Sequence, residues 1–274
     1  MLFVSDLSYP ARGRRYGDED VFLTSRLREE FDLALCHPLD AVALMAAFDV
    51  VVVRNSGPVL YYRAAYEAFR AEALRTGMRV YNPLTGRGDM AGKQYLPDLT
   101  AAGYPVIPTA DGPAGLDRLP QAGEYVVKPK DGADSIGLEV VPPAEAARRA
   151  AAGDVLVQPR VDFRYEVSFY FVDGDFQYAL HAPDPGRRWE LRPYEPTGAD
   201  LAFARRFVAW NTMSHGIQRV DACRTREAGE LLLVELEDLN PYLSLDLVPE
   251  ATREAFVARM KASLHDFLRT PPPS

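Results

Sequence analysis

The fold of this chain is decided by residues 217–238, which read IQRVDACRTREAGELLLVELED. Two β-rich apolar runs enclose a short polar connection, so the stretch predicts two antiparallel strands at 217–224 and 231–238. If the connection is symmetric about Ala228, the register of the two strands is fixed. The run of four apolar residues that opens the second strand predicts that this strand is mostly buried.

This register places charged side chains together. Because strand side chains alternate between faces, Arg219 and Asp221 share one face, as do Glu235 and Glu237, and Asp221 then opposes Glu235. Crowded carboxylates repel unless a cation neutralises them, so Glu235→Gln is expected to leave the fold without metal intact or slightly more stable, and to abolish turnover if the carboxylates bind a metal. Oxygen ligands of this kind suit Mg²⁺. The alternative is a solvated sheet face with an Arg219–Glu237 ion pair, and the spacing alone leaves both open.

Length and composition limit the class of protein. The chain has 274 residues, 47% of them apolar and 26% charged, which is typical of a globular protein of one or two domains. A net charge of −8 disfavours a nucleic-acid partner bound through a global positive field. Neither a membrane-spanning run nor a signal-peptide core is visible, so no membrane partner is expected. Two distant cysteines predict no disulfide framework, and we expect a reducing, cytoplasmic compartment.

The predicted pattern of strands and helices changes near residue 88. The first ~85 residues alternate short apolar strands with helical stretches, which favours an open, mostly parallel α/β layer. Residues 82–88, which read NPLTGRG, are dense in turn formers and predict a domain boundary. The remainder reads as α+β with antiparallel sheets. The predicted fold class is therefore mixed α/β and α+β, with an N-terminal domain over residues 1–88.

Two further segments suggest phosphate chemistry. Residues 86–94, GRGDMAGKQ, imitate a P-loop, but five residues separate Gly86 from Gly92 and Gln94 follows the lysine, so the motif fails. Lys128 ends an apolar strand, and the small-residue loop 131–137 after it exposes backbone N–H groups suited to phosphate oxygens. The alternative for this second segment is a surface lysine beside an ordinary loop.

The order of these motifs resembles the ATP-grasp superfamily over roughly residues 82–246. The most similar group is the glutathione-synthetase-like ligases, which include the cyclo-ligase of cycloserine biosynthesis. The resemblance implies an ATP-grasp fold in which two α+β subdomains, 89–157 and 158–274, clamp ATP. It also implies an ATP- and Mg²⁺-dependent carboxylate–amine ligase that forms an acylphosphate on a small amino-acid-like or peptide substrate.

The resemblance assigns a role to each motif residue. In chain order these are Lys93 and Lys128 on the phosphates, Ser135 and Gly137 in the closing loop, Gln158 and Val161 in the hinge that reads adenine through its backbone, Glu166 on the ribose, Arg219 as the catalytic residue on the transferring phosphoryl group or oxyanion, and Asp221, Glu235, Glu237 and Asn240 on magnesium. Two departures stand out. Glu237 occupies the position where the last ligand is often Asn, which leaves Asn240 as the alternative ligand. The acids Asp131 and Asp134 lie in a loop that faces a polyanion.

The acceptor site is expected beyond the C-terminal ends of the N-terminal strands. Arg54 and Ser56 follow one such strand, and an arginine there could hold a substrate carboxylate through two hydrogen bonds. Arg12, Arg14 and Arg15 form a second candidate group. For both groups the alternative is a set of solvated loop charges.

Two other functions stay open at this level. One is a non-catalytic nucleotide-binding protein on a degenerate scaffold, suggested by Glu237 and the acidic loop. The other is a ligase that adds amino acids to a protein tail. The expected partners are small carboxylate and amine substrates, and assembly into a homodimer is left open.

Overall fold

The computed structural model describes residues 1–11, 14–54, 59–130 and 137–270. Short 3₁₀ helices within these ranges are Pro38–Asp40, Met45–Ala47, Val59–Tyr62, Asp89–Ala91 and Leu245–Leu247.

The N-terminal layer is a parallel sheet flanked by helices, as predicted. Its strands are β1 (Leu2–Val4), β4 (Ala34–Cys36), β5 (Val51–Val53) and β6 (Val80–Tyr81), and a separate pair is formed by β2 (Pro10–Ala11) and β3 (Arg14–Arg15). The sheet order is β4-β1-β5-β6, with parallel pairing throughout the described part of the chain. The helices of this layer are α1 (Tyr16–Leu27), α2 (Ala41–Leu44) and α3 (Arg63–Thr76). The apolar runs are buried on both faces, which explains their lack of alternation.

The middle of the chain forms an antiparallel sheet in the order β7-β10-β8-β9. Its strands are β7 (Ala110–Asp111), β8 (Tyr125–Pro129), β9 (Glu139–Val141) and β10 (Val155–Pro159), with α4 (Tyr95–Ala101), α5 (Pro113–Leu116) and α6 (Pro143–Ala152). Helix α6 packs Ala146 and Ala150 against Val127 and Val157, which closes one face of the sheet. Lys128 lies on β8 directly after Val127, which packs against this helix.

The largest sheet is antiparallel and carries the predicted acidic strands. Its members are β11 (Phe163–Val172), β12 (Asp175–Ala182), β13 (Arg192–Tyr194), β14 (Ile217–Thr225) and β15 (Leu231–Glu237), and their order is β13-β12-β11-β14-β15. Helix α7 (Gly198–Asn211) packs on the face that holds Phe169, Val220 and Leu236. The opposite face of β14 and β15 carries the charged residues.

Helix α8 (Glu250–Arg269) packs against both the N-terminal sheet and the large sheet. Phe256 of this helix shares one core with Phe3 and Val52 of the N-terminal sheet and with Tyr170 of the large sheet. The N-terminal layer is thus packed against the C-terminal sheet, and the division into domains at residues 88 and 157 stays a prediction about folding units. In the described ranges, no helix is long and apolar enough to cross a membrane.

Candidate functional site

The register of β14 and β15 matches the prediction from the sequence. Arg219 pairs with Glu237 and Asp221 pairs with Glu235, and a bulge follows between Asp221 and Ala222. The alternation of side chains brings these four charged residues to one face of the sheet. The expected acidic patch therefore exists.

Arg219 lies between two of the carboxylates. Its Nε donates to both oxygens of Asp221 at 3.0 and 3.1 Å, and Nη2 donates to Asp221 Oδ2 at 2.9 Å and also to Glu237. Nη1 donates to the backbone carbonyl of Tyr242 at 2.9 Å. The ion pair expected under the alternative interpretation is thus present, and the catalytic role of Arg219 stays a prediction.

Lys93 closes the site from the opposite wall. Its side chain is 8% exposed, and its ammonium group donates to Glu235. Burial disfavours the charge, but the Glu235 carboxylate outweighs this effect and raises the pKa of Lys93. Burial likewise opposes ionisation of Glu235, yet Lys93 and Lys128 together lower the pKa of that carboxyl. Each group of the Lys93–Glu235 pair holds the other in its charged form.

Crowding of the carboxylates shifts the pKa of Glu237. Burial raises its pKa to about 8, and the charges of Asp221 and Glu235 act in the same direction against the opposing effect of Arg219. The crowding predicted from the sequence is therefore concentrated on Glu237 rather than on Glu235, because Lys93 neutralises Glu235.

Lys128 presents a second cation to the same space. Burial, together with the neighbouring charges of Lys93 and Arg188, lowers the pKa of its ammonium group to about 8, and the charge of Glu235 opposes this shift. Among the described residues, no carboxylate forms an ion pair with Lys128. A poorly solvated ammonium group of this kind is suited to bind a phosphate group.

The hinge lies between β10 and β11. Gln158 is buried at the end of β10, where its Nε2 donates to Oγ1 of Thr109 at 2.8 Å, so its side chain is committed to the interior. Val161 follows in the connection and is half-buried. This placement is compatible with recognition of an adenine edge by backbone groups, and that role stays a prediction.

Glu166 is held by an arginine that the sequence did not suggest. Nε of Arg188, from the loop between β12 and β13, donates to Glu166 Oε2 at 2.5 Å. Burial raises the pKa of Glu166, and the Arg188 charge opposes that shift. A ribose bound at Glu166 would therefore share this carboxylate with Arg188 or displace it.

Arg54 differs from its predicted placement on a substrate surface. The residue is 4% exposed, and its guanidinium donates to Glu19 Oε1 at 3.0 Å, to Asp20 Oδ1 at 3.2 Å and to the carbonyl of Pro241 at 2.7 Å. Glu19 in turn accepts from the backbone N–H of Leu243 at 2.9 Å. The arginine thus links the N-terminal layer to the loop after β15, because it donates both to the buried acids Glu19 and Asp20 and to the carbonyl of Pro241.

Of the remaining predicted residues, Gly137 and Asn240 lie in the described part of the chain, and the side chains of the others are not described. Gly137 has φ +75°, and a Cβ there would lie 2.9 Å from Pro129 Cγ, so glycine is required for local packing. Asn240 is half-buried in the loop after β15. The following predicted positions lie outside the described residues or have undescribed side chains: Ser56, Ser135, Asp131, Asp134, Arg12, Arg14 and Arg15.

The carboxylates of the charged face are the candidate ligands for a magnesium ion. In the part of the chain that the structure describes, no three His, Cys, Asp or Glu side chains are arranged to hold a metal between them. Both oxygens of Asp221 accept from Arg219, and Glu235 accepts from Lys93. Mg²⁺ binds through one or two carboxylates plus phosphate oxygens, so the chemistry of Glu235 and Glu237 fits this ion once phosphates attract the cations away.

The sequence analysis did not identify Asp238 and Asp89, which contact each other at the end of the acidic strand β15. Asp238 is fully buried after Glu237, and Asp89 accepts from the backbone N–H of Asp238 at 2.7 Å. Burial raises the pKa of Asp89 well above its ordinary value, and the charges of Asp238 and Glu237 add to the shift. Two features of the sequence could have identified these residues. Asp238 is an acid directly after a strand predicted to be buried, and Gly86 and Gly88 lie close together next to Asp89.

Comparisons with known proteins relate this arrangement to a common fold. No family model matches the chain. The cycloserine biosynthesis protein DcsG of Streptomyces lavendulae is 32% identical over 168 residues, which are 54% of this chain and 56% of that protein. The match thus spans about half the length of this curated relative.

Solved structures match over nearly the whole chain. The crystal structure of D-cycloserine synthetase DcsG has a TM-score of 0.74 at 24% identity and covers 98% of this chain and 99% of its own. The ATP-grasp ligase PsnB with a minimal precursor gives 0.63 at 16% identity, with 96% and 98% covered. D-alanine–D-alanine ligase from Bacillus anthracis complexed with ATP gives 0.62 at 12% identity, with 97% and 95% covered.

Proposed function

This chain has the ATP-grasp fold, and we propose that it is an ATP- and Mg²⁺-dependent ligase that joins a carboxylate to an amine. One observation carries the proposal. Buried Lys93 from the loop before α4 and half-buried Lys128 from β8 meet the charged face that holds Glu235 and Glu237. Cations on one wall and carboxylates on the other suit a metal–triphosphate complex.

The nucleotide would lie between the middle sheet and the large sheet. The backbone of the hinge 158–161 would bind the adenine, and Glu166 would accept from the ribose hydroxyls after exchanging Arg188. Lys93 and Lys128 would bind phosphate oxygens as point charges. The low pKa of Lys128 supports this role, because a phosphate restores the charge that burial disfavours.

The metal site would be built by the acidic strand. Glu235 and Glu237 would hold Mg²⁺ together with phosphate oxygens, with Asp221 and Asn240 as the further donors nearby. When bound, the ion neutralises charge that develops on the transferring phosphoryl group. The residues of the chain itself would position the groups around it.

The proposed reaction has two steps. A substrate carboxylate oxygen attacks the γ-phosphorus of ATP, which forms an acylphosphate and breaks the bond to the ADP oxygen. The lone pair of the amine then attacks the acyl carbon, phosphate leaves with the bonding electrons, and the amine gives up a proton. Arg219 is the guanidinium on the charged face, and it would donate to a phosphoryl oxygen or to the tetrahedral oxyanion after releasing hydrogen bonds that it now gives to Asp221 and Glu237.

The proposed substrate class is supported by the name of a relative. The curated relative is named for cycloserine biosynthesis, which supports a small amino-acid-like carboxylate rather than a protein tail. Whether the amine belongs to the same molecule, giving a cyclised product, or to a second one is decided by the experiment below.

The test is a screen for ADP release with ATP and Mg²⁺ over amino acids, O-substituted serines and dipeptides, each alone and in pairs. We expect ADP formation that requires both a carboxylate and an amine, together with loss of the free amine. Trapping with hydroxylamine would report the acylphosphate as a hydroxamate. Absence of metal-dependent ATP binding at millimolar ATP would refute the proposal, and tight binding without ADP across the panel would favour a non-catalytic nucleotide-binding protein.

A further inference from the structure

Asp238, the residue that follows the acidic strand, is satisfied entirely by one distant segment. Its side chain is 0% exposed, and its Oδ2 and Oδ1 accept from the backbone N–H groups of Gly88 and Met90, both at 2.8 Å. Its own N–H donates to Asp89 Oδ1 at 2.7 Å, and its carbonyl accepts from Asn82 Nδ2 at 2.6 Å. Every polar group of Asp238 is thus bound by residues 82–92, which we call the clasp.

The clasp also fixes the neighbouring strand. The amide of Asn82 donates to the carbonyl of Ile217 at 2.7 Å and accepts from the N–H of Ile217 at 2.7 Å. Asn82 therefore joins the first residue of β14 to the residue after β15. Asp89 extends the grip by accepting from the N–H of Leu239 at 3.0 Å.

Glycines allow the clasp to approach this closely. A Cβ at Gly86 would lie 2.4 Å from Asp238 Oδ2, and a Cβ at Gly88 would lie 2.6 Å from the carbonyl oxygen of Leu236. The spacing that made this segment resemble a P-loop thus serves contact with a carboxylate of the protein. Residues 82–88, which the sequence predicts to be a domain boundary, are packed against the acidic strand.

The clasp is followed directly in the chain by Lys93, which is predicted to bind phosphates of the nucleotide. Its last residue, Gly92, has φ +84°, a conformation that favours glycine, and Lys93 follows. At the other side, Asp238 follows Glu237 in the chain. One short segment therefore sets the position of Lys93 relative to Glu235 and Glu237.

We propose that the clasp is a positioning element for the phosphate end of the nucleotide, with Asp238 as its positioning residue. The inference rests on the proposed function, because it assigns the phosphates to Lys93 and the metal to the acidic strand. The hinge 158–161 belongs to the opposite end of the nucleotide site, so a disturbed clasp alters the binding of phosphates and leaves the binding of adenine intact.

The test compares Asp238→Asn with wild type and with Asp98→Asn, an exposed residue of α4 that undergoes the same chemical change. In Asp238→Asn, an amide N–H faces a backbone N–H, so one of the two loop contacts is lost. Titration calorimetry measures the dissociation constants of ATP with Mg²⁺ and of AMP without it. We expect the ATP constant to rise at least tenfold and kcat to fall at least tenfold, with the AMP constant within twofold.

A second pair of variants covers a failure of Asp238→Asn to fold. Asp89→Ala removes the acceptor of two backbone N–H groups, whereas Asp89→Asn keeps an oxygen there. The Ala variant is expected to show the selective loss of ATP affinity, and the Asn variant to recover it to within threefold of wild type.

The outcomes separate the clasp from the proposed function. Wild type that binds no ATP with Mg²⁺ overturns both. ATP binding in wild type with unchanged ATP constants in Asp238→Asn and Asp89→Ala overturns the clasp alone. An equal loss of ATP and AMP affinity in these variants also overturns it, because that pattern reports general damage to the fold.

Discussion

The ammonium group of Lys93 donates a hydrogen bond to the carboxylate of Glu235, 142 residues further along the chain. The contact closes the space between the loop before α4 and the acidic strand β15. Both groups keep their charges because each compensates the desolvation of the other. In the proposed complex the phosphates of ATP attract Lys93 and the metal attracts Glu235, so we expect nucleotide binding to open this pair.

Glu235→Gln is expected to destabilise the protein in the absence of metal. The change leaves buried Lys93 without its counter-ion at a site where Glu235 is 28% exposed, and we expect a loss of about 1–3 kcal/mol, below that of a fully buried pair. ADP release should also be abolished. Chemical denaturation in EDTA measures the first effect. A more stable variant would restore the interpretation from the sequence, in which Glu235 is a repelled carboxylate.

Glu237→Gln is expected to behave in the opposite way. The folded-state pKa of Glu237 is about 8 and its ordinary value is 4.5, so the folded state holds a proton that the unfolded state loses between these values. Stability therefore falls as pH rises from about 4.5 to about 8, and the cost is fully present above pH 8. Denaturation of both proteins in EDTA from pH 5 to 9 should show the variant gaining relative stability with pH. Parallel curves would contradict the assignment.

Lys128→Met should separate stability from binding. The pKa of Lys128 is about 8 against an ordinary 10.5, so the charge of this half-buried lysine destabilises the apo protein fully below pH 8 and not above pH 10.5. We expect the variant to be more stable at pH 7 by up to about 3 kcal/mol. Its ATP affinity should fall ten- to a hundredfold, because a phosphate loses a charged partner. Thermal shift with and without ATP measures both, and unchanged ATP affinity would make Lys128 a surface residue.

Arg219→Lys tests the catalytic role of the arginine. A lysine keeps the charge but cannot bridge Asp221 and Glu237 while donating to the carbonyl of Tyr242. If Arg219 holds the transferring phosphoryl group, kcat should fall about 10²–10³-fold with the KM for ATP little changed. Single-turnover ADP formation measures the chemical step. Loss of stability with normal turnover would reduce Arg219 to an ion-pair partner.

Arg54→Met tests the buried network of the N-terminal layer. The change removes the guanidinium from which the buried carboxylates of Glu19 and Asp20 accept, and we expect a loss of about 3–5 kcal/mol in the free energy of unfolding. Adding Glu19→Gln should recover part of that loss. A substrate clamp would instead show wild-type stability with a raised KM for the carboxylate substrate, so urea denaturation and steady-state kinetics together distinguish the two roles.

The sequence predicted the site where local rules sufficed. Alternation along two strands, with a symmetric connection, gave the register of Asp221 against Glu235 and of Arg219 against Glu237. Uninterrupted apolar runs predicted the parallel N-terminal sheet. The order of the motifs led to the ATP-grasp fold, which the structural comparisons bear out.

The tertiary structure alone decided which charges meet. Periodicity assigns a side chain to a face but does not say what lies opposite that face, so the pairs Lys93–Glu235 and Arg188–Glu166 could not be read from the chain. The same holds for the buried contacts of Arg54 with Glu19 and Asp20, and the role of Arg54 as a substrate ligand stays a prediction. Partners more than a hundred residues apart are brought together by packing of the sheets, and the desolvation that shifts their pKa values arises only once that packing has formed.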